Sequence, residues 1–205
     1  MDFKSKLLND AVEQMSSLPG IGKRSALRLV LHLLDQTEKD VKDFSSAFVN
    51  LKEHLNFCEK CFHITENKIC DICSNSSRSD DLICVVQDIR DLLAIESTEQ
   101  FYGTYHVIGG VISPMEGISP SDLSIDSLID RVKSNKIEEI ILALSTTMEG
   151  ETTNFYLYKK LIPFNLKITT MSRGVSIGDE LEYTDEITLG RSLVNRQLFE
   201  NTLQK

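Results

Sequence analysis

Four of the five cysteines in this chain of 205 residues stand in two close pairs, Cys58-x2-Cys61 and Cys70-x2-Cys73, with eight residues between the pairs. Two CxxC pairs bring four thiolates onto one ion in a tetrahedral arrangement, and soft sulfur ligands in that geometry favour zinc. Because a closed shell of four sulfurs leaves no position for an activated water, the spacing predicts one structural zinc ion per chain. Disulfides or a redox-active CxxC pair are the alternatives. Disulfides fit poorly with a chain that shows no export signal, and a redox motif does not need a second pair at this distance.

A turn rich in proline and glycine, LPGIGKRSA at 18–26, is the second chemical signal. Pro19 fixes one backbone angle, whereas Gly20 and Gly22 adopt conformations that are closed to other residues and leave their N–H groups uncovered. If a helix begins directly after this turn, its free N–H groups and the positive end of its dipole point to the same place. The turn is therefore a candidate site for the phosphates of DNA, which it would bind without reading bases.

Positive charge accompanies the turn, because Lys23 and Arg24 follow the second glycine and Arg28 lies one helical turn further on. An ordinary turn between two helices is the alternative, since proline and glycine suit it equally well. On the first interpretation the predicted DNA-binding residues are Gly20, Gly22, Lys23, Arg24 and Arg28.

The distribution of charge limits where an anionic polymer would bind. The chain has a net charge of -9, which argues against a protein that coats nucleic acid over its whole surface. Residues 1–80 hold 11 Lys and Arg against 12 Asp and Glu, whereas residues 81–205 hold 11 against 19, so DNA is expected to bind the first part. No apolar run approaches the length of a membrane span, and the N-terminus lacks the features of a secretory signal, so a cytoplasmic location is expected.

The periodicity of apolar residues predicts three helices in the first part of the chain, over 3–16, from Lys23, and from about Asp40 into the cysteine pairs. The second helix is apolar almost all round, and a region of about 55 residues has little interior in which to bury it. This predicts an interface between copies of the chain.

After 74–81, a polar stretch without periodicity that is expected to be a linker and the domain boundary, strands and helices alternate. The predicted strands are LICVV, YHVI, EEIILAL and LKITTM, and the predicted helices are 88–99, 121–134 and 154–161, with a loop before the last. Such alternation indicates an α/β fold with a parallel sheet, whose ligand sites lie at the carboxyl ends of the strands. The predicted fold class is α/β, with an α-helical N-terminal region and a small zinc-binding module.

Three acidic residues follow predicted strands: Asp88 after the first, and Glu149 and Glu151 after the third. Carboxylates in these positions either bind a divalent cation weakly or form a docking site for a basic partner. For Asp88, a solvated helix N-terminus is a further alternative. No GxxxxGK[ST] phosphate loop occurs in the sequence, so an independent ATPase is not expected.

The combination of these motifs resembles the bacterial RecR family of recombination proteins. The similar parts are the hairpin LPGIGKRSALRLVLHLL, the four cysteines, the region that opens with ICVV and carries STTMEGETTNFY, and the tail GDELEYTDEITLGRSL. The resemblance implies a helix-hairpin-helix DNA-binding region over 1–56, a four-cysteine zinc finger over 57–74 and a Toprim domain with a parallel sheet over 81–177. It also implies a C-terminal tail and helix over 178–205 that contacts another subunit.

The resemblance implies a role in recombinational DNA repair. Members of the family act with RecO, and with RecF where it is present, to load RecA on gapped single-stranded DNA. They form ring-shaped homo-oligomers, described as tetramers, that bind single-stranded, gapped or duplex DNA without sequence preference. In this family the basic partner of an acidic site at Glu149 and Glu151 would be RecO.

Catalytic Toprim domains share a glutamate after the first strand and an Asp-x-Asp pair after a later one, which together hold magnesium against a phosphate. This chain departs from that pattern twice, because Gln87 stands at the first place and 145–151 contains no Asp-x-Asp. We therefore expect a domain without catalytic residues that binds magnesium weakly if at all. The alternative function is a magnesium-dependent phosphoryl-transfer enzyme of Toprim type, a relative of nucleases or primases.

Overall fold

The computed structural model describes residues 4–198 and divides into two compact units, one that ends at Leu55 and one that begins at Asn56. The first unit consists of α1 (Lys6–Ser16), α2 (Lys23–Leu34) and α3 (Glu38–His54). These are the three predicted helices with shifted starts; residue 3, where the first was expected to begin, lies outside the described residues. The shift of α3 has a local cause, because the Thr37 hydroxyl caps the helix by accepting a 3.2 Å hydrogen bond from the N–H of Asp40.

The first unit has a small apolar interior. Val12 of α1 packs against Ala26 and Val30 of α2, whereas no side chain of α3 is buried. Apolar side chains on α2 and α3 therefore remain exposed, among them Leu31, Leu34, Phe44, Phe48, Val49 and Leu51. An apolar surface of this kind on a small unit is typical of a contact with another chain.

The second unit begins with a short antiparallel pair and continues into a parallel sheet. The pair consists of β1 (Asn56–Phe57) and β2 (Ile64–Thr65), and it is followed by the single turn α4 (Asp71–Ser74). The parallel sheet contains β3 (Leu82–Val86), β4 (Thr104–Val107), β5 (Glu139–Ala143) and β6 (Lys167–Thr170) in the order β4-β3-β5-β6. The other helices are α5 (Ile89–Glu96), α6 (Ile125–Ser134), α7 (Met148–Leu161) and α8 (Glu186–Val194), with 3-10 turns at Pro120–Asp122, Ile162–Phe164 and Leu181–Tyr183.

Apolar clusters lie on both faces of the parallel sheet, which confirms the predicted α/β class. Ile83 and Val85 of β3 pack on one side with α6 and α7, whereas Cys84 and Val86 pack on the other side with Leu92 of α5. A strand that is buried on both faces has no polar alternation, which accounts for the continuous apolar run LICVV. Within residues 4–198 no helix combines the length and apolar character needed to cross a lipid bilayer.

The start of α7 differs from the prediction. Residues 145–153 were expected to form a loop, but α7 begins at Met148, and the Thr147 hydroxyl caps it by accepting a 3.2 Å hydrogen bond from the N–H of Gly150. A Cβ atom at Gly150 would lie 2.0 Å from the carbonyl oxygen of Ser145, so only glycine fits in this first turn. The residues that suggested a loop therefore form the start of a helix, where Thr147 caps the first turn and Gly150 packs closely against Ser145.

The expected linker at 74–81 is also tied to the second unit. The Arg78 guanidinium donates hydrogen bonds of 2.8 and 2.6 Å to the Glu96 carboxylate and one of 3.2 Å to the carbonyl of Gly103. The N–H of Ser79 donates to the carbonyl of Tyr102 at 2.9 Å. The boundary between the compact units lies at Leu55, and the cysteine pairs belong to the same unit as the parallel sheet. A domain boundary at 74–81 stays a prediction.

Candidate functional site

The Sγ atoms of Cys58, Cys61, Cys70 and Cys73 lie within 4.8 Å of one another, and the first three of these residues are buried. A tetrahedral zinc ion with bonds of about 2.3 Å would separate its sulfur ligands by about 3.8 Å, and the Sγ atoms of Cys61 and Cys70 are 3.5 Å apart. None of the cysteines takes part in a disulfide. The donor set therefore fits zinc, and the predicted four-cysteine metal site is confirmed.

Main-chain groups and neighbouring sulfurs determine the charge on these thiols. The N–H of His63 points at the Cys61 sulfur at 3.4 Å, and the N–H of Cys70 points at the Cys58 sulfur at 3.3 Å, so both support a thiolate. The hydrogen bond between Cys61 and Cys70, together with burial, raises the pKa of Cys61 far above its ordinary value. The same hydrogen bond lowers the pKa of Cys70 below its ordinary value. Because thiolates are the ligands of a metal ion, metal binding is coupled to the folding of the module.

The cysteine module lies on the outer edge of the parallel sheet. The main-chain N–H of Val107 in β4 donates a 2.8 Å hydrogen bond to the carbonyl of Cys61, and the Phe62 ring lies edge-on to the His106 ring at 5.4 Å. On the same edge, the Arg131 guanidinium of α6 donates a 2.6 Å hydrogen bond to the carbonyl of Tyr105 and a second bond to the Thr104 hydroxyl. Backbone groups of β4 that have no neighbouring strand thus find partners in the cysteine module and in Arg131.

The proline-glycine turn of the first unit has the predicted geometry at Gly20 but not at Gly22, whose φ of -79° and ψ of 161° are extended backbone that any residue adopts. The N–H of Ile21 donates to the carbonyl of Leu18 at 3.1 Å, and Gly20 has a φ of 80°, which is the third position of a type II turn and favours glycine. Gly22 is the N-cap of α2 and has no side chain that could accept from the first turn of the helix. The N–H groups at the start of α2 are therefore open to an external acceptor such as a phosphate oxygen.

The cations beside this turn are available for a ligand. Lys23, Arg24 and Arg28 are exposed, and within residues 4–198 none of the three takes part in an ion pair. Open N–H groups and unpaired cations at one helix start are the features that bind the DNA backbone without reading its sequence. The five DNA-binding residues predicted from the sequence stay a prediction that this geometry supports.

The carboxyl ends of β3 and β5 adjoin each other in the parallel sheet. Val86 is the register partner of Ala143, so Gln87 follows β3 at the same level at which Leu144 follows β5. The chain runs from β3 to β4 on one side and then crosses to β5 on the other, which makes this the switch point where α/β proteins bind ligands. The side chain that β3 contributes here is an amide, which brings no charge to a metal ion.

The acidic residues near this switch point have other partners. Asp88 is the N-cap of α5, where it accepts a 2.8 Å hydrogen bond from the N–H of Arg90 and pairs with its guanidinium, which lowers the pKa of Asp88. Glu151 pairs with Arg173, which lowers the pKa of Glu151. Glu149 is exposed.

These contacts bear on metal binding by the acidic residues. The four cysteines are the only group of three or more metal-ligating side chains that lie together in the part of the chain that the structure describes. The weak divalent or partner site at Asp88, Glu149 and Glu151 stays a prediction, and the arginine partners of Asp88 and Glu151 leave Glu149 as the carboxylate of the three without an ion pair among the described residues.

A set of buried polar residues was missed by the sequence analysis. Thr104, His106 and Arg131 are 1%, 0% and 7% exposed, although their types suggested the surface. His106 Nε2 lies 2.8 Å from the carbonyl oxygen of Ser124, and burial lowers the pKa of His106 to about 4. Alternation along YHVI placed His106 on one face of a strand, but nothing in the sequence indicated that α6 would cover that face.

Family comparisons match the chain in four consecutive segments. They are the RecR helix-hairpin-helix at residues 8–52, the RecR zinc finger domain of the four-cysteine type at 55–75, the Toprim domain at 81–172 and the RecR C-terminal segment at 174–197. A helical hairpin, a four-cysteine zinc finger and a Toprim sheet in one chain define a class of zinc-finger proteins of DNA recombination.

Similar whole proteins agree with this class. The protein named recombination protein RecR of Flavobacterium johnsoniae is 57% identical over 204 residues, which cover 100% of this chain and 99% of the relative. Relatives of the same name in Porphyromonas gingivalis and Cytophaga hutchinsonii are 51% and 54% identical, each over 98% of both chains. The chain therefore belongs to the RecR family of recombination proteins.

Proposed function

We propose that this protein is a DNA-binding mediator of recombinational DNA repair that works as an oligomeric clamp in the cytoplasm. In this role it acts with RecO, and with RecF where present, to help load RecA on gapped single-stranded DNA. The observation that carries the proposal is the start of α2, where Gly22 leaves the first N–H groups uncapped. Lys23 and Arg24 are exposed there and form no ion pair with any residue of 4–198.

Binding through this turn should be nearly independent of DNA sequence, because phosphates and not bases meet the N–H groups and cations. One turn with a few cations binds weakly, but several copies around one DNA raise the effective concentration of each further contact. The same reasoning predicts a steep dependence on salt, because each phosphate that is neutralised releases counterions.

Two separate apolar surfaces support the proposed tetramer. The first is the exposed apolar face of α2 and α3 in the first unit, and the second is formed by the tail from Ile177 to Val194, where no residue of α8 is buried. Two different self-complementary interfaces can close four copies into a ring, whereas a single self-complementary interface gives only a dimer.

The charge of the tail suggests where it docks on a neighbouring subunit. Acidic residues lie between its apolar ones, at Asp179, Glu180, Glu182, Asp185 and Glu186. The outer face of α7 carries the matching features, because Phe155 and Tyr158 are exposed beside the exposed Lys159 and Lys160. We therefore place the tail of one subunit on α7 of the next.

The Toprim domain is proposed to recognise RecO rather than to catalyse a reaction. The switch point presents Gln87 where a catalytic domain would present a glutamate, and Glu151 is paired with Arg173. Glu149 is exposed at the first turn of α7 and is available to a basic partner. Glu149→Lys should weaken RecO binding while leaving DNA affinity unchanged, and equal RecO affinity in titrations with the two proteins would contradict this assignment.

The clamp is tested by replacing Lys23 and Arg24 together with alanine. The double variant should bind single-stranded and duplex DNA more weakly, and the slope of log affinity against log salt should flatten by about 0.7 to 0.9 for each phosphate that is no longer neutralised. Lys39 and Lys52, which are exposed on α3, provide the matched control pair of alanine substitutions. A binding isotherm that is unchanged at every salt concentration would reject the turn as the DNA-binding element.

The absence of catalysis needs its own experiment. The purified protein should leave labelled single-stranded, gapped and duplex DNA intact during incubation with magnesium. Metal-dependent cleavage that disappears in Glu149→Gln would instead assign the protein to the phosphoryl-transfer enzymes and would overturn the proposal of a mediator without catalysis.

A further inference from the structure

Arg131 is a buried cation that has no carboxylate partner. Arg131 is 7% exposed, and it takes part in none of the ion pairs within residues 4–198. Its hydrogen bonds go to neutral acceptors, the carbonyl of Tyr105 and the hydroxyl of Thr104, and its Nε atom has no partner. A buried charge without a counter-charge is strongly unfavourable, so the environment of Arg131 must supply negative charge from elsewhere.

The cysteine module lies on the same sheet edge as Arg131 and is a source of that charge. Arg131 binds the edge of β4 at Tyr105, and the module binds the same edge two residues further on, where Val107 donates to Cys61. Burial lowers the pKa of Arg131, and the negative charges of Cys73, Cys61, Asp80 and Cys58 oppose that effect. Asp80 is already paired with Lys60 at 2.6 Å, so the thiolates remain.

The sign of the interaction follows from the charge of a four-thiolate zinc site. A divalent cation with four thiolate ligands carries a formal charge of about -2, which a nearby cation stabilises in a partly desolvated environment. Outer residues of this kind tune the affinity of a metal site without touching the metal.

We propose that Arg131 is the counter-cation of the zinc-thiolate centre, and that it couples zinc retention to the hydrogen bonds that cover the outer edge of β4. Arg131 acts here as a positioning residue, since it donates to the strand on which the module lies and not to a sulfur. The inference concerns a residue that lies outside both the zinc finger and the DNA-binding turn, and it does not depend on the proposed role in recombination.

The test compares zinc release from the full-length protein and from three Arg131 variants. With an excess of a chromogenic chelator, Arg131→Met should lose zinc about 10-fold faster or more, in line with other outer-shell substitutions. Arg131→Lys keeps the charge and should release zinc at close to the original rate. Arg131→Gln, which keeps hydrogen-bonding capacity without charge, replaces the Met variant if that variant does not fold.

Two matched controls separate the charge from general disturbance. Thr104→Val removes a hydrogen-bond partner of Arg131 but leaves the cation, and Arg78→Met removes a partly buried arginine that pairs with Glu96 instead. Neither control should change the rate of zinc release as much as Arg131→Met does. Equal rates for the Met and Lys variants, or a rate for Arg78→Met that matches Arg131→Met, would overturn the proposal.

Discussion

The main-chain N–H of Val107 donates a 2.8 Å hydrogen bond to the carbonyl oxygen of Cys61, so that one of the zinc ligands is bonded through its main chain to the edge strand of the Toprim sheet. The contact explains why the cysteine module and the sheet form one compact unit. Zinc binding and sheet stability are therefore linked through main-chain atoms, which side-chain substitutions on β4 leave in place.

Removal of the metal should destabilise the second unit as a whole. Replacing Cys58 and Cys61 with serine should reduce the zinc content from one ion per chain to none, and structural zinc can contribute ~10 kcal/mol or more of apparent stability. Elemental analysis and thermal unfolding measure the two effects. Cys84→Ala is the control, because this buried cysteine lies in β3 away from the cluster and its loss should leave the zinc content unchanged.

Replacing Arg78 with methionine should loosen the segment before β3. Glu96 would lose its bidentate partner while keeping the 2.6 Å hydrogen bond from the Tyr105 hydroxyl. Because this pair is only partly exposed, we expect a loss of about 2 kcal/mol in unfolding free energy by chemical denaturation. The exposed Asp88–Arg90 pair offers a comparison, and Arg90→Met should change stability much less. A result in the opposite order would show that 74–81 is a linker after all.

His106 should make the protein less stable as the pH falls. Burial lowers its pKa from 6.5 to about 4, so between these values the unfolded chain binds more protons than the folded one. The free energy of unfolding is therefore unaffected by the titration of His106 above pH 6.5. It falls as the pH decreases towards 4, by roughly 3 kcal/mol at most.

The contribution of His106 is isolated by comparing pH profiles of unfolding free energy. His106→Gln should flatten the profile between pH 4 and 6.5 relative to the original protein, whatever its effect on overall stability. Parallel profiles for the original protein and His106→Gln would show that His106 is protonated in the folded state.

The two proposed interfaces should respond separately to charge. Phe48→Asp in the first unit and Leu193→Asp in the tail each place a carboxylate on one exposed apolar surface, so each variant alone should convert tetramers to dimers. Combining them should give monomers, as measured by the mass of the assembly in solution. Leu93→Asp, at an exposed apolar position on α5, is the control and should leave the mass unchanged. Unchanged masses for both single variants would contradict the two-interface ring.

Local chemistry made much of this protein predictable from its sequence. The cysteine spacing specified a metal site because four ligands within 16 residues leave few other arrangements. The turn at Gly20 was predictable because a positive φ after proline favours glycine. The LICVV strand was predictable because a strand buried on both faces is apolar throughout.

Long-range polar contacts account for what the sequence did not show. Arg78 bonds Glu96, 18 residues away, and Gly103, 25 residues away, so a segment with a linker composition is fixed by partners that no local pattern reveals. No local signal marks Arg131 as buried, because charged residues of a helix normally face solvent. The start of α7 was missed because capping residues and a close-packed glycine have the composition of a loop.

The hydrogen bond between Val107 and Cys61 also bears on what happens in a cell that is short of zinc. If the cysteine module detaches, β4 becomes an open strand edge with unpaired N–H and C=O groups, and such edges pair readily with other chains. The module is synthesised before the strand that it covers, so metal bound early would protect the edge as soon as it forms. We expect zinc starvation to remove this protein by aggregation, before any loss of DNA affinity could be observed.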